Sequence, residues 1–217
     1  MARRAPPSEI IETDRIEGFA HPRQTQTLVG QDAALAQASR TIRIGKPPQA
    51  WLVCGPPGIG KATLAYRIAR YLLAYGARDT GAQDFSVPAN DPASLQVAAG
   101  SHPGLLVLKR GLNPDTGKMM SVLSVAEIRR LAGFFGMTSG AGGWRVAIVD
   151  TADDMNDNAA NALLKLLEEP PARAMLLLLS NTPGRVLQTI RSRCQRLELR
   201  PIGAAPLEQE LARLLPG

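Results

Sequence analysis

The sequence contains few cysteines, few aromatic residues and no long apolar segment. Its 217 residues include only Cys54 and Cys194, so the chain can build neither a disulfide framework nor a four-cysteine zinc site. An apolar run such as residues 175–179 is far too short to cross a bilayer. The basic N-terminus lacks the apolar segment that follows it in a secretory signal. These absences predict a cytoplasmic protein with no membrane span.

Acidic residues are fewer than basic ones, 19 against 25, and the formal net charge is +6. A positive chain suits contact with nucleic acid or with an acidic protein, and charge alone does not distinguish the two. Hydrophobic residues make up 45% of the sequence, which is enough for a sizeable core. The length accommodates one large domain, or one domain and a fragment of a second.

Short apolar runs alternate with helical patterns along the chain. The patterns predict strands at residues 50–54, 105–109, 145–149, 174–179 and 194–199. They predict helices at residues 31–44, 62–73, 124–135, 158–168, 186–191 and 207–215. Residues 1–20 are expected to be mobile, 76–103 to form a long loop and 111–118 a turn. This order is typical of an α/β fold with a five-stranded parallel sheet and helices on both faces.

A phosphate-binding motif follows the first predicted strand and precedes a helix. Its residues are Gly55, Pro56, Pro57, Gly58, Ile59, Gly60 and Lys61. Glycines in such a loop let backbone N–H groups converge on phosphate oxygens, and the helix N-terminus favours an anion. Lys61 would reach the outer phosphates. We therefore predict an ATP site formed by this loop together with Ala62 and Thr63.

The part of the motif that binds metal is altered. A Ser or Thr hydroxyl normally follows the lysine and binds Mg²⁺, but this chain has Ala62 there. Thr63 lies about 100° further around the helix, where it does not restore the geometry. Asp150 ends the third strand and is suited to holding Mg²⁺, but Thr151 follows it instead of the glutamate that orients water. We predict weak ATP binding, weakened Mg²⁺ support, no dedicated metal ligands and no hydrolysis.

The loop after this strand contains two further carboxylates, Asp153 and Asp154. Aspartate is a favoured residue immediately before a helix, where its side chain accepts from the first free backbone N–H groups. We therefore expect this pair to cap the helix that follows.

Five segments together resemble the AAA+ clamp-loader subunits of bacterial DNA replication. They are residues 21–31, 55–65, 150–171, 180–182 and 191–194, within a resemblance that covers about residues 20–200. Its most specific part is the run Asn-Ala-Leu-Leu-Lys-Leu-Leu-Glu-Glu-Pro-Pro, residues 161–171. Within the family, the chain is most similar to the delta-prime type of DNA polymerase III, in the form associated with alphaproteobacteria.

The resemblance implies an AAA+ P-loop core over residues 21–200, with residues 201–217 starting a lid domain and the C-terminal collar domain absent. It places Asn181 at the sensor 1 position of the nucleotide site. Arg193, in the triplet Ser-Arg-Cys, would be the arginine finger that stabilises γ-phosphate charge in a neighbouring subunit. Relatives often carry a four-cysteine zinc module, but residues 76–103 contain no cysteine, so no zinc is expected.

The implied function is that of a clamp-loader subunit that helps to load the sliding clamp onto primed DNA. Its partners would be the gamma/tau and delta subunits and, through the complex, the sliding clamp and primer–template DNA. It would not hydrolyse ATP and would lend Arg193 to a neighbour. A nucleotidyltransferase label would apply only through membership of the holoenzyme, since no paired-carboxylate two-metal site is recognisable.

Three alternatives stay open. Arg193 lies among other arginines, so this segment could be a basic edge that contacts DNA phosphates. The chain could be an active AAA+ ATPase of the gamma/tau type, against which Ala62 and Thr151 count. It could also be a small-molecule P-loop kinase, which would need an intact metal hydroxyl and a lid of arginines.

Overall fold

Five parallel strands form one sheet with the order β2–β3–β4–β1–β5. The computed structural model describes residues 18–45, 47–81, 84–110, 120, 122–136 and 143–214. The strands are β1 (Ala50–Cys54), β2 (Leu105–Lys109), β3 (Arg145–Asp150), β4 (Ala174–Ser180) and β5 (Gln195–Glu198). Every neighbouring pair is parallel. The predicted five-stranded parallel sheet is therefore confirmed, with each strand end within one residue of its predicted position.

Seven α-helices are present in the part of the chain that the structure describes. They are α1 (Asp32–Arg43), α2 (Lys61–Tyr75), α3 (Pro92–Ala99), α4 (Val125–Gly136), α5 (Asp157–Glu168), α6 (Gln188–Arg191) and α7 (Ala204–Leu214). None of these described helices is long and apolar enough to cross a membrane. The predicted turn at 111–118 and most of the predicted mobile segment, residues 1–17, lie outside the described residues.

Helices cover both faces of the sheet, as the alternation of elements predicted. Successive strand residues point to opposite faces. Trp51 and Val53 of β1 therefore pack on one side with α1, α2 and α3, while Leu52 and Cys54 pack on the other side with α4, α5 and α6. All seven residues of β4 are buried, because this strand lies between β3 and β1 with helices on both sides. Burial on both faces explains its uninterrupted apolar run.

Helix α3 corrects the prediction that residues 76–103 form one long loop. Asp91 caps the helix, because its carboxylate accepts a hydrogen bond of 2.8 Å from the Ala93 N–H. Pro92 occupies the first helical position, and Gly100 follows the last one with a left-handed backbone (φ 70°). The helix has eight residues, too few to show a sustained apolar period. Its start and stop signals were nevertheless present in the sequence.

Two arginines of α2 anchor the segment that precedes α1. Arg70 is fully buried and donates a hydrogen bond of 2.8 Å to the Arg23 carbonyl. Arg67 donates to the Gln26 carbonyl at 2.7 Å and to the Asp84 carboxylate at 2.6 Å. Burial lowers the pKa of Arg70, and the nearby charge of Arg67 lowers it further. These contacts hold the segment before α1 alongside α2, beside the loop that follows β1.

Replacing Asp91 by alanine removes the side-chain acceptor at the start of α3. The free energy of unfolding is expected to fall by about 1 kcal/mol, the usual contribution of an aspartate cap. Asp91→Asn keeps an acceptor oxygen at the same position and should retain most of the stability. Urea unfolding followed by circular dichroism measures all three proteins. Equal stability of the alanine variant and the parent protein would contradict the assigned cap.

Candidate functional site

The phosphate-loop motif makes a tight turn between β1 and α2. Gly58 and Gly60 have left-handed backbone conformations, with φ of 77° and 100°, which side chains with a Cβ rarely adopt. At Gly60, an added Cβ would also come within 2.6 Å of Leu28 Cδ1. Helix α2 begins at Lys61 and has no side-chain cap at Gly60. The N–H groups of its first turn are therefore not bound by a capping side chain. An anion site requires such N–H groups.

Lys61 places a buried ammonium group at this loop. Its Nζ donates hydrogen bonds of 2.8 Å to the carbonyls of Gly55 and Pro56. Burial lowers the pKa of Lys61, while the charges of Asp150 and Asp153 act in the opposite direction. The side chain thus lies between the loop backbone and the carboxylates that follow β3.

One cavity of about 400 Å³ brings most of the predicted nucleotide-binding residues together. The predicted residues that line it are Pro57, Gly58, Gly60, Lys61, Ala62, Thr63, Asp150 and Asn181. The other three members of the loop do not line the cavity: Gly55 and Pro56 accept hydrogen bonds from Lys61 through their carbonyls, and Ile59 packs against the core. The residues predicted from the sequence therefore form one wall of the cavity, at the phosphate loop, the start of α2 and the ends of β3 and β4.

The segment before α1 provides a second wall of the cavity. Phe19, Ala20 and Pro22 line it opposite the phosphate loop. Phe19 is 45% exposed, so an aromatic ring stands open to solvent at this site. The arginines of α2 hold the segment there from a distant part of the chain.

The residues present fit a nucleoside triphosphate better than they fit its Mg²⁺ ion. Glycine backbone, an uncapped helix N-terminus and Lys61 are the groups that bind phosphates. For the metal, Asp150 offers a carboxylate in the same cavity, but Ala62 has no oxygen to add from its side chain. Among the described residues, no group of three histidine, cysteine or acidic side chains is arranged to hold a metal.

Asp153 does not cap the next helix, so this prediction was wrong. Its buried carboxylate accepts a hydrogen bond of 2.6 Å from Ser180 Oγ. It also accepts from the backbone N–H groups of Asn181 at 2.6 Å and Thr182 at 3.2 Å. The carboxylate therefore joins the loop after β3 to the end of β4. It holds Asn181 in position at the edge of the cavity.

Asp154 does not cap the helix either. It accepts from Thr151 Oγ1 at 2.7 Å and forms an ion pair with Arg110 at 3.2 Å. The cap of α5 is Asn156, which accepts from the Ala159 N–H at 2.9 Å. Asparagine is as good a cap as aspartate. The two carboxylates instead bind groups at the ends of β2 and β4 and in their own loop.

A second cavity, of about 310 Å³, adjoins the first and shares three lining residues with it. The shared residues are Asp150, Thr151 and Asn181. Lys109, Arg110 and Arg185 supply positive side chains to its lining. Lys109 ends the strand predicted at residues 105–109, and Arg110 follows it. The meeting of parallel strand ends at one edge of the sheet is the signal that could have identified them.

Both cysteines are packed against the core below the site. Burial raises the pKa of Cys54 and raises that of Cys194 to about 12. The thiolate is the reactive form of cysteine, and a raised pKa disfavours it. Neither cysteine lines either of the two cavities.

Arg193 lies outside both cavities, two residues after the end of α6. Its side chain is 38% exposed. One terminal nitrogen donates to the Thr189 carbonyl at 3.0 Å, and the other donates to the Glu168 carboxylate at 3.0 Å. The structure therefore does not bring Arg193 to the phosphate loop of its own chain.

Two of the arginines in the segment from Arg185 to Arg200 are paired with glutamates. Arg193 pairs with Glu168, and Arg196 pairs with Glu198 at 3.4 Å. The exposed charge of this segment is therefore smaller than its composition suggests.

Residues 30–203 match the protein family described as "DNA polymerase III, delta subunit". The DNA polymerase III subunit delta' of Pseudomonas aeruginosa is 41% identical over 167 residues, which are 77% of this chain and 48% of that protein. The DNA polymerase III subunit gamma/tau of Mycobacterium tuberculosis is 32% identical over 201 residues, which are 89% of this chain and 31% of that protein. The chain spans about half the length of the delta' relatives that it matches.

The fold is similar to that of a DNA polymerase III gamma subunit-related protein from Thermotoga maritima. The TM-score is 0.55 at 20% sequence identity, over 83% of this chain and 54% of that one. At this identity the likeness concerns the fold alone. It confirms the predicted α/β fold.

Replacing Asp153 by alanine leaves a buried hydroxyl and two backbone N–H groups without their acceptor. An unsatisfied buried hydroxyl costs about 1–3 kcal/mol, and the N–H groups of the more exposed Asn181 and Thr182 cost less because water can reach them, so the free energy of unfolding is expected to fall by roughly 2–4 kcal/mol. Asp157→Ala, an exposed aspartate in the first turn of α5, is the matched control and should lose less than about 1 kcal/mol. Urea unfolding measures both variants, and equal losses would contradict the role given to Asp153.

Proposed function

The chain belongs to the DNA polymerase III delta-subunit family of AAA+ clamp-loader proteins, and from that premise we propose that it acts as a clamp-loader subunit that does not hydrolyse ATP. It works in a cytoplasmic complex with gamma/tau and delta subunits, and through them it acts on the sliding clamp and on primer–template DNA. Its contribution is to help load the clamp onto primed DNA. The observation that carries this proposal is the position of Arg193.

Arg193 supports a role in trans because it is partly exposed and lies outside the phosphate-loop cavity of its own chain. Planar guanidinium groups bind phosphate oxygens through two parallel N–H donors. Such a group, supplied by one subunit to the ATP site of the next, stabilises the charge that develops on the γ-phosphate. In this proposal Arg193 is the catalytic residue that the chain supplies to its neighbour.

The chain's own site is proposed to bind ATP without turning it over. The loop N–H groups and Lys61 bind the phosphates, and Asn181 lies at the far side of the same cavity. Asp150 would hold Mg²⁺ without a hydroxyl from Ala62, so the metal is bound weakly. Thr151 lines the cavity where an active ATPase has a glutamate, and its hydroxyl cannot take a proton from water at neutral pH.

The proposed ATPase-like domain comprises residues 21–200. The last strand of the sheet ends at Glu198 and the family match ends at residue 203, which supports this boundary. Helix α7 would then belong to the start of a lid domain, residues 201–217. Two of its leucines, Leu207 and Leu211, are exposed.

The second candidate function is an active AAA+ ATPase of the gamma/tau type. The observation in its favour is the 32% identity to a gamma/tau subunit over 89% of this chain, together with Lys61 and Asp150 in one cavity. The substitutions at Ala62 and Thr151 count against it. Turnover by the isolated chain distinguishes the two functions.

Arg193→Ala is expected to lower the ATPase rate of a clamp-loader complex reconstituted with its gamma/tau and delta partners. Loss of an arginine finger lowers kcat by about 10³-fold or more, while nucleotide affinity changes little. Arg191→Ala, an exposed arginine two residues earlier, is the matched control and should leave kcat unchanged. If both variants weaken DNA binding equally and leave kcat per bound complex intact, the segment is a basic edge for DNA and the finger proposal fails.

A titration with a fluorescent ATP analogue, in Mg²⁺ and then in EDTA, tests the nucleotide site. We expect binding that EDTA weakens by less than about tenfold, because the backbone and Lys61 carry most of the interaction. Lys61→Ala should abolish binding, and Ala62→Thr should make it more dependent on Mg²⁺. Absence of binding up to millimolar nucleotide would refute the site. Mg²⁺-dependent turnover that Lys61→Ala removes would establish the gamma/tau function instead.

A further inference from the structure

Glu168, the last residue of α5, holds the guanidinium of Arg193. It belongs to the run Leu-Leu-Glu-Glu-Pro-Pro. The sequence predicts no role for either glutamate of this run. The Oε1 atom of Glu168 accepts a hydrogen bond of 3.0 Å from Arg193, across 25 positions of sequence. From this geometry we propose that Glu168 is a positioning residue, which orients Arg193 toward the γ-phosphate of a neighbouring subunit. The inference rests on the finger role proposed above.

The guanidinium is held from two sides by two different elements. Its terminal nitrogens bind the Thr189 carbonyl on α6 and the Glu168 carboxylate at the end of α5. These two helices are packed together in one core cluster, to which they contribute Leu163 and Ile190. The anchors therefore have fixed positions relative to each other. A flexible side chain held at both terminal nitrogens has one preferred orientation before any neighbour approaches.

The two anchors leave donors for a phosphate. A guanidinium has five N–H groups, and each anchor uses one of them. Three N–H groups remain outside these two bonds, enough for two parallel contacts to phosphate oxygens. Arg193 can therefore keep both anchors while it binds the neighbour's nucleotide. Holding the side chain in advance reduces the conformational freedom that it would lose on binding.

The effect of Glu168 should be modest compared with that of Arg193 itself. The Arg193 and Glu168 side chains are 38% and 51% exposed, and exposed ion pairs of this kind change an equilibrium by at most about fivefold. Removing Glu168 therefore lowers the fraction of time in which Arg193 is oriented toward the γ-phosphate of the neighbouring subunit. The positive charge of Arg193 is still present. Removing Glu168 should also leave the fold intact, because neither side chain is part of the core.

Glu169 provides a control at the adjacent position. It has the same charge, it is exposed, and its backbone N–H donates to the Lys165 carbonyl at the end of α5. No bond from its carboxylate to Arg193 is found among the contacts of the described residues. A loss of activity that reflects only a lost surface charge would be the same at both positions.

The test uses the full chain in the reconstituted clamp-loader complex, with steady-state ATP hydrolysis as the readout. E168A is expected to lower kcat about three- to fivefold without changing KM, since the finger acts on the transition state. E168Q should lose less, because its amide oxygen still accepts the hydrogen bond. E169A should match the parent complex. E168A should have no further effect in an R193A background, because Glu168 acts only through Arg193.

Two results would contradict the positioning role of Glu168 and leave the arginine-finger role of Arg193 supported. One is equal activity of E168A and E169A alongside a large loss in R193A. The other is a higher kcat in E168A, which would mean that Glu168 restrains Arg193. A loss caused by E168A in the R193A background would show that Glu168 acts without Arg193 and would also overturn the role. If R193A has no effect, the finger proposal itself fails, which separates the two conclusions.

Discussion

A buried carboxylate joins the two strands on which the site depends. Asp153 lies in the loop after β3 and accepts hydrogen bonds from three groups at the end of β4, at Ser180, Asn181 and Thr182. Because the carboxyl ends of parallel strands meet at one edge of the sheet, this tie sets the spacing between Asp150 and Asn181. The phosphate loop follows β1, which pairs with β4, so the loop reaches the same edge of the sheet and lines the same cavity.

The chemistry of the molecule is divided between two places. The phosphate loop and Lys61 form a site that suits nucleotide phosphates, but the residues for metal support and water activation are missing at Ala62 and Thr151. Arg193 lies elsewhere, exposed and held by groups on α5 and α6. In the function proposed above, these two features belong together: the chain does not turn over ATP at its own site and supplies Arg193 to a neighbouring clamp-loader ATPase.

Local signals account for what the sequence predicted well and for what it missed. The five strands were recognisable because buried parallel strands are short apolar runs, and the loop because its glycines stand at fixed spacing. Helix α3 was missed because eight residues show too little periodicity, although Asp91 and Gly100 marked its ends. Asp153 was misjudged because an aspartate before a helix is often a cap, and here Asn156 takes that role.

By itself, the sequence determined the order of the five strands and of six of the seven described helices, the place of the phosphate loop, and the presence of Ala62 and Thr151 at two positions of the motif. These are properties of neighbouring residues. Only the tertiary structure decided which groups Asp153 binds and which carboxylate pairs with Arg193, because these partners lie 27 to 29 and 25 positions away along the chain. The distance between such residues depends on how strands pair and helices pack. No local pattern contains that information.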